Sequence, residues 1–283
     1  MSEAKVKLFM CVHKPYSFLP PLAVAVQGGA ALKPRVPNAV GDDGACGSIS
    51  EKNAEYCELT VQYYAYKNEE AEVYGFCHYR RFFAFGKRSA RPYLVYKSIP
   101  NNQVSILGTA TDAARIAASY DIVLPCAEDS GVSAREHYAA AKHHYASDLA
   151  LFESLISELY PELAPFAAEY LGGRRQYFCN MFFMRRALFR DYSERLFSLL
   201  AAFDERKTPH GDFQSDRTDG YLAERFLGIY AAFAAARGAS VLEVPRVDVG
   251  APLKKRLAYR LLPPNSLRRK LLKRLVCKLK RAK

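Results

Sequence analysis

The stretch from Gly75 to Phe83, GFCHYRRFF, places a histidine, a tyrosine and two adjacent arginines at the end of an apolar run. Cations at the end of a core strand need either a bound anion or carboxylate partners inside the protein. We favour the anion, because the planar guanidinium group suits bidentate contact with phosphate. Alternation along a continuing strand would put His78 and Arg80 on one face and Tyr79 and Arg81 on the other.

A second polar cluster, His13-Lys14-Pro15-Tyr16, follows the first apolar run of the chain. Open α/β sheets bind their ligands beyond the carboxyl ends of the strands. An aromatic ring beside polar groups at such a place could stack on a base and hydrogen-bond to it. The alternative interpretation is an ordinary polar turn.

Lys52 and Asn53 stand where a helix is predicted to begin, and Glu58 follows inside it. Helix N-termini attract anions, so Lys52 and Asn53 are candidate ligands of a negatively charged group. Ser50 and Glu51 have the residue types of N-terminal caps, and we predict that these two cap the helix.

The pair His137 and His144 is seven residues apart and would share one face of a helix. His143 does not share that face with His137. A metal site is therefore a weak hypothesis, and we favour a surface of histidines and tyrosines that holds a sugar or a loop.

Asn180 lies inside the apolar run FCNMFFM, which is predicted to be a strand. A buried amide there must hydrogen-bond to a ligand or to backbone. Downstream, HGDFQSDRTDG is predicted to be a mobile loop that contributes Arg217 to an acceptor or loop contact. A carboxylate from Asp216, Asp219 or Glu224 is expected to act as general base for an incoming hydroxyl.

Hydrophobic periodicity predicts strands that alternate with helices. The predicted strands lie in residues 5–12, 73–77, 116–125, 178–184 and 240–245. The predicted helices lie in residues 55–68, 134–146, 150–160, 187–203 and 221–237. This order favours an α/β fold with a mostly parallel sheet and crossover helices.

With 283 residues, 50% of them hydrophobic, the chain can bury one large domain or a domain with an appendage. Its seven cysteines are scattered without a C-x-x-C pair, which argues against a disulfide framework and against a zinc site. The sequence has neither an apolar run of spanning length nor the cleavage region of a signal peptide, so a cytoplasmic location is expected.

The net charge of +12 comes from the end of the chain. Residues 251–283 contain 13 Lys or Arg and no Asp or Glu; subtracting these 13 from the 41 cations of the chain leaves 28 cations against 29 acids. A folded nucleic-acid-binding domain would spread its cations over its surface. We therefore expect no nucleic-acid partner.

Within that end, residues 266–283 (SLRRKLLKRLVCKLKRAK) place leucines on one helical face and Lys or Arg on the other. This pattern is typical of a helix that lies on an anionic membrane surface, which we expect to be its partner. The alternatives are a solvated basic tail or a helix that docks on a partner protein. Pro263-Pro264 is expected to be a hinge between the body and the amphipathic segment 266–283. The predicted domains are a body of residues 1–250 and a basic tail of residues 251–283.

Six segments occur in order along the chain: HKPY, SISEKNAEYCELTVQYYAYKN, GFCHYRRFF, YDIVLP, CNMFFMRRALF and DGYLAERF. Together they resemble a bacterial family of capsular and exopolysaccharide biosynthesis proteins, formerly known as a domain of unknown function and now regarded as glycosyltransferases of GT-A-like fold. The resemblance covers residues 5–245. It implies a Rossmann-like, GT-A-type, mostly parallel sheet flanked by helices in residues 1–250, with the basic amphipathic helix outside it.

GT-A enzymes bind a nucleotide sugar at the strand ends, so the resemblance implies a nucleotide-sugar co-substrate, with a UDP-sugar as first choice. The donor-binding residues it implies are His13, Lys14, Tyr16, Lys52, Asn53, Glu58, His78, Tyr79, Arg80, Arg81 and Asn180.

Such enzymes usually hold the diphosphate with a metal on an Asp-x-Asp motif, but His78-Tyr79-Arg80-Arg81 stands in that place here. Arginine is expected to replace the metal as counter-charge. The alternative is a divalent metal at Asp42-Asp43. The chain also lacks the tryptophans that the family often has in the segment 63–66.

The activity that the resemblance implies is hexosyl transfer to a glycan acceptor, expected to be lipid-linked, in capsule, exopolysaccharide or lipopolysaccharide synthesis. The expected location is peripheral, on the inner face of the plasma membrane. The alternative function is a non-catalytic nucleotide- or sugar-binding scaffold in a polysaccharide assembly complex.

Overall fold

The computed structural model describes residues 5–44, 47–86, 93–96, 104–211 and 217–281. Asp216, one of the three predicted general bases, lies outside these residues. The strands are β1 (Val6–Val12), β2 (Ala23–Gln27), β3 (Val40–Gly41), β4 (Val73–His78), β5 (Arg81–Phe83), β6 (Tyr93–Val95), β7 (Ile122–Pro125), β8 (Glu128–Asp129), β9 (Arg175–Gln176), β10 (Phe182–Arg185), β11 (Val241–Val244) and β12 (Arg246–Asp248).

The helices surround these strands. They are α1 (Asn53–Tyr56), α2 (Leu59–Asn68), α3 (Val104–Leu107), α4 (Ala110–Ser119), α5 (Ala134–Ala140), α6 (Ala146–Leu159), α7 (Ala164–Gly172), α8 (Arg186–Arg206), α9 (Thr218–Ala236), α10 (Leu253–Leu261) and α11 (Leu267–Arg281). Strands that alternate with helices confirm the predicted α/β class.

The main sheet has the strand order β11-β7-β10-β4-β1-β2-β3. Strand β1 pairs in parallel with β2 and with β4, and β7 pairs in parallel with β11. Strand β10 runs antiparallel to both of its neighbours, β4 and β7. The sheet is therefore mostly parallel, as predicted, with one reversed strand near its middle.

Both faces of the sheet are covered, which explains why its central strands are apolar throughout. Phe9 of β1 belongs to the core under α2 and α6–α9, whereas Leu8 and Met10 belong to the core beside α4, β5 and β12. Gly75 of β4 allows a close approach, because a Cβ atom there would lie 2.3 Å from the ring of Phe183.

Several predicted elements are interrupted where the backbone turns. The predicted helix 55–68 breaks at Cys57, whose φ is 53°. The predicted helix 134–146 ends at Ala140, and His143 between α5 and α6 has a φ of 60°. The predicted strand 178–184 begins only at Phe182, so Asn180 lies in a turn before the strand.

The predicted capping by Ser50 and Glu51 is wrong. No side chain caps the 3-10 turn Ser50–Lys52 or helix α1. The hydroxyl of Ser50 instead donates to the carboxylate of Asp42 and accepts from the Ala31 amide at 3.1 Å.

The C-terminal segment forms two helices, and Pro263-Pro264 lies between α10 and α11, just before the amphipathic segment. Helix α11 is tied to the body: Lys270 pairs with Asp129 at 2.7 Å, and Asn265 accepts from the Asp129 amide at 2.6 Å. Among the described helices, none combines the length and the apolar character needed to cross a bilayer.

Candidate active site

The reversed direction of β10 brings three distant polar segments to one edge of the sheet. His13 follows β1, His78 ends β4, and Asn180 lies just before β10. Since β10 is antiparallel to β4, its amino end meets the carboxyl ends of β1 and β4. This is the edge at which open α/β sheets bind ligands.

A turn at Cys57 delivers Glu58 to this edge. The side-chain amide of Asn53 donates to the Cys57 carbonyl at 2.6 Å and to the Thr60 hydroxyl at 3.1 Å, which holds the turn. Asn53 also accepts from Lys33 at 2.6 Å. The side chain of Asn53 therefore holds the turn that positions Glu58, and it also binds Lys33.

The side chain of Asn180 links Glu58 to helix α9. Its Nδ2 donates to Glu58 Oε1 at 2.9 Å and to the Gly220 carbonyl at 3.2 Å. The φ of 44° at Asn180 is in the left-handed region, which asparagine adopts more readily than most residues. Its Oδ1 is buried and has no hydrogen-bond partner among the described residues, so it can accept from a ligand.

A small cavity at this edge is lined by Glu58, His78, Cys179 and Asn180, and the carboxylate of Glu224 is close enough to act on Glu58. Burial raises the pKa of Glu58, and the charge of Glu224 raises it further. Glu224 accepts from the Cys179 amide at 2.8 Å and pairs with Arg225 at 3.0 Å, so both of its oxygens are positioned. Its side chain stays 20% exposed, which leaves it accessible to an acceptor hydroxyl from solvent.

His78 and Arg81 face each other across a two-residue turn. Strand β4 ends at His78 and β5 begins at Arg81, and these two residues are paired in the antiparallel register. The predicted grouping of His78 with Arg80 is therefore wrong, because the chain reverses at Tyr79 and Arg80 instead of continuing as a strand. Arg81 is half-buried, and Arg80 is exposed at the turn.

His78 is an uncharged group in this site. Burial and the nearby charges of Arg81 and Arg80 lower the pKa of His78 to about 2. Its Nδ1 is buried without a hydrogen-bond partner in the described part of the chain. A neutral imidazole with an unpaired nitrogen is suited to contact a sugar hydroxyl or a phosphate oxygen.

Four cations surround His13. Partial burial lowers the pKa of His13, and the charges that lower it further belong to Lys14, Lys33, Arg80 and Arg217. Lys14 and Arg80 lie over the Tyr79 ring, at 5.2 and 5.6 Å from its centroid. We call these four residues the cationic rim.

The cationic rim differs from other cations of the protein in its partners. Its members contact an amide, a ring or a sulfur, and within the described ranges none of them pairs with a carboxylate. By contrast, Arg195 and Arg206 pair with Glu162 and Glu158. The rim therefore keeps its positive charge available for an anion.

Two predicted donor ligands have other partners. Lys52 donates to Asp204 of α8 at 3.1 Å and lies over the Tyr56 ring. The hydroxyl of Tyr16 donates to the Asn38 carbonyl at 2.9 Å, and its ring packs with the core beside α4. Lys52 is therefore part of a separate polar cluster, which also contains Glu55, Asp204, Lys207 and Asp219.

The predicted acceptor residues lie on an aromatic wall beside the cavity. The ring of His144 stacks on Tyr221 at 4.0 Å, and Arg217 lies 5.9 Å from the centroid of the same ring. His137 contacts the Phe178 ring edge-on at 5.7 Å. Burial lowers the pKa of His144 to about 4 and that of His137 to about 3, so both are neutral at ordinary pH.

Asp219, a predicted general base, points into the separate polar cluster. The ammonium group of Lys207 contacts Asp204 at 2.6 Å, Glu55 at 2.8 Å and Asp219 at 3.2 Å. The three carboxylates lie within 4.8 Å of one another, a spacing that would suit a metal ion. Burial and Asp204 raise the pKa of Asp219 to about 7. With Asp219 fully buried, Glu224 is the predicted base that the described residues place at the cavity.

The predicted alternative metal site, Asp42-Asp43, consists of carboxylates with structural partners. Asp42 is buried and accepts from the amides of Gly29 and Ala30 at 2.9 and 3.0 Å. Asp43 forms a bidentate pair with Arg35 at 2.7 and 2.8 Å. These contacts fix the loop after β2.

Sequence reasoning missed Cys57 and Lys33. Arg217 donates from Nε to the Cys57 sulfur at 3.2 Å, and this contact holds Arg217 in the cationic rim. Cys57 stands between Asn53 and Glu58 in the segment that carried the resemblance, which was an available signal. Lys33 lies in a Gly- and Pro-rich loop that has no such signal.

Comparison with solved structures gives one match, which supports the fold. The apo structure of the WbbM bifunctional glycosyltransferase has a TM-score of 0.81 and 30% sequence identity over 87% of this chain. The match covers 46% of the WbbM chain, so this protein spans about half the length of that relative. No curated protein matches the sequence.

The family model described as a domain of unknown function, DUF4422, matches residues 7–235. The matched range contains the Cys57 turn, the His78–Arg81 turn, Asn180 and Glu224, which belong to the candidate site at the sheet edge. It ends before α10 and α11. The chain belongs to the DUF4422 family.

Proposed function

We propose that the chain is a glycosyltransferase that moves a sugar from a nucleotide-sugar donor to a glycan acceptor. The observation that carries the proposal is the combination of the cationic rim with the neighbouring carboxylates Glu58 and Glu224 at the ligand-binding edge of the sheet. An anion and a polyhydroxylated group would be bound side by side there. The likeness to a bifunctional glycosyltransferase supports the same activity.

The donor diphosphate would bind at the cationic rim. Lys14, Arg80 and Arg217 offer charge, because no carboxylate of the described residues forms an ion pair with them. The negative charge on the diphosphate increases as it leaves the sugar, and cations positioned in advance stabilise that charge. The base of a UDP-sugar would lie beside His13 and Tyr16.

We infer that these cations take the place of a metal. At the turn where GT-A enzymes usually carry Asp-x-Asp, Arg80 and Arg81 would repel a divalent ion, and His78 offers one neutral nitrogen. The residues at this position therefore do not fit a metal. Turnover that is lost in EDTA and restored by Mn²⁺ or Mg²⁺ would overturn this inference.

The sugar would be held by Glu58, Asn180 and His78 on the floor of the cavity. In an inverting displacement, the acceptor oxygen forms a bond to the anomeric carbon as the bond from that carbon to the phosphate oxygen breaks. The electron pair of the broken bond leaves with the nucleoside diphosphate. Glu224 accepts the proton of the acceptor hydroxyl.

The acceptor would lie on the aromatic wall of His144, Tyr221 and Phe178. Aromatic faces suit the apolar face of a sugar ring, and neutral histidines offer hydrogen bonds without attracting a second anion. We propose a glycan acceptor on a lipid carrier, in capsule, exopolysaccharide or lipopolysaccharide synthesis.

The test is a screen of nucleotide sugars by mass spectrometry for slow donor hydrolysis, repeated with Arg217→Ala and with Arg206→Ala as control. We expect one donor to be hydrolysed, Arg217→Ala to lose at least tenfold in kcat/KM, and Arg206→Ala to keep its rate, because Arg206 already pairs with Glu158. Tight donor binding by calorimetry without hydrolysis or transfer would instead assign the non-catalytic scaffold.

A further inference from the structure

Helix α11 exposes its apolar stripe. The residues of that stripe follow one face of the helix and have exposed fractions between 42% and 72%; they are Leu267, Leu271, Leu272, Leu275, Val276 and Leu279. An exposed row of this length needs a covering partner, because isolated leucines are common on surfaces but continuous apolar patches are not.

The polar side of α11 faces the body of the protein. Arg269 lies 3.5 Å from Glu128, and Lys270 pairs with Asp129 at 2.7 Å. Arg274 donates to the Gly131 carbonyl at 2.7 Å. Gly131, with φ of 74°, permits this approach, because a Cβ atom there would lie 2.7 Å from the Lys270 carbonyl. The helix is therefore held in one orientation.

This orientation is the reverse of the usual one. A surface helix normally buries its apolar stripe and turns its charges to water. Here acidic residues of the body bind the basic side of the helix and direct the leucines outward. A free tail could fold its leucines onto the protein, but this docked helix keeps them exposed.

Helix α10 also exposes a row of leucines. Leu253, Leu257 and Leu261 are spaced four residues apart, and their exposed fractions are 62%, 47% and 67%. Lys255 pairs with Asp248 of β12 at 2.8 Å, which fixes α10 on the body in the same way. Arg269 of α11 lies over the ring of Tyr259 of α10 at 4.8 Å and joins the two helices.

We propose that α10 and α11 form a membrane platform, residues 253–281, that binds the surface of an anionic phospholipid bilayer. The leucines would enter the boundary between head groups and acyl chains, and Lys and Arg at the edges would bind the anionic head groups. The sequence of this region supports that occupant, because it has no Asp or Glu to repel a lipid surface. Nucleic acid would require cations, not leucines, on the outward face.

The platform also adjoins the acceptor side of the candidate site. Helix α11 packs on α5, and after burial, the charge of Lys273 is the largest cause of the lowered pKa of His137. His137 in turn contacts Phe178, whose neighbour Cys179 donates to Glu224. This consequence rests on the proposed function: a lipid-linked acceptor would enter from the bilayer beside α11, at the inner face of the plasma membrane.

The first test is co-sedimentation with vesicles rich in phosphatidylglycerol and with vesicles of phosphatidylcholine alone. We expect the whole chain to bind the anionic vesicles, with binding that weakens as salt increases. The double variant Leu271→Glu, Leu275→Glu should lose at least tenfold in partition. The matched control is Leu159→Glu, which makes the same change at an exposed leucine of α6.

A second test uses the absence of tryptophan from the sequence. Leu272→Trp and Leu159→Trp each introduce a single fluorophore, one on the platform and one outside it. On addition of anionic vesicles, we expect a blue shift for Leu272→Trp and no shift for Leu159→Trp. Neither experiment requires catalysis, so its result is independent of the glycosyltransferase proposal.

Three outcomes would overturn the proposal that α10 and α11 bind a membrane. These are no binding of the wild-type chain to anionic vesicles, unchanged binding of the double glutamate variant, and equal emission shifts at positions 159 and 272. If light scattering shows a dimer that the double variant converts to monomer, without any vesicle binding, the apolar face is an interface between two copies and the membrane proposal fails.

Discussion

His78 and Arg81 are paired across the antiparallel turn between β4 and β5, with Tyr79 and Arg80 as the two residues of the turn. The two adjacent arginines therefore have different environments. Arg81 is half-buried, and its charge acts on both His78 and Glu58, whereas Arg80 is exposed in the cationic rim. We propose that Arg81 lies nearest the bound sugar and that Arg80 contacts the diphosphate.

The two arginines should respond differently to replacement. Arg81→Ala is expected to lower kcat/KM for the donor by about 100-fold, since a buried charged contact is worth about 3 kcal/mol. Arg80→Ala should cost about tenfold, mainly in KM, because solvent screens an exposed charge. Steady-state kinetics measure both, with Arg206→Ala as control. If Arg80→Ala and Arg81→Ala both keep the wild-type kinetics, the roles given to these two arginines are wrong.

Glu58→Gln should lower activity and raise stability near neutral pH. The folded-state pKa of Glu58 is raised by burial and by Glu224, so the stability that it contributes at low pH is lost as pH rises through that pKa. The glutamine keeps an oxygen for the Asn180 bond and removes the charge. Thermal unfolding should show a higher Tm for Glu58→Gln near neutral pH and no difference below about pH 4. A lower Tm at neutral pH would refute this.

Glu224→Gln tests the general base. The amide keeps an acceptor for the Cys179 N–H but cannot take a proton, so we expect kcat for transfer to fall by about 10²- to 10⁴-fold. Donor KM should change little, because the diphosphate contacts lie in the cationic rim. Glu158→Gln at the surface is the matched control. If Glu224→Gln keeps the wild-type kcat, another group accepts the proton of the acceptor hydroxyl.

Lys207→Met tests the buried cluster of three carboxylates. Removing the ammonium group leaves Asp219 buried without a counter-charge, and breaking such a pair costs about 3–5 kcal/mol. Because the pKa of Asp219 is already raised to about 7, the loss should be larger above that pH than in acid. Urea unfolding of Lys207→Met, with exposed Lys142→Met as control, measures it.

A second substitution checks the cause. Asp219→Asn added to Lys207→Met should recover a large part of the lost stability, since it removes the buried charge that Lys207 neutralised. If the double variant is as unstable as Lys207→Met alone, the loss comes from side-chain packing and not from charge.

The sequence predicted the central strands well because both of their faces are buried. Val73–His78 and Val6–Val12 are apolar at nearly every position, and this pattern can be recognised from the sequence of each strand alone. Turns within such runs were missed. Nothing local indicates that the chain reverses after His78, or that the helix breaks at Cys57 with a positive φ.

Contacts between distant segments were harder to predict. The clusters at Glu58 and Asn180 were identified as separate candidates, but their hydrogen bond spans 122 residues of sequence. The direction of Asp219 depends on Lys207 at the end of α8, which no local pattern associates with it. The outward direction of the leucines in α11 likewise depends on the acids of β8.

The reversed strand β10 has a consequence for folding order. The hydrogen bond between Glu58 and Asn180 joins residues 122 positions apart, and β10, which follows Asn180, lies between β4 and β7 in the sheet. We therefore expect the cavity to form only after β10 has inserted between these strands. Contacts between distant segments form slowly, because a long loop must first close. A chain that has folded only its first half would have Lys14, Lys33 and Arg80 of the cationic rim but would lack Arg217 and Asn180. If the proposed donor requires the complete site, it should bind the native state alone and stabilise it.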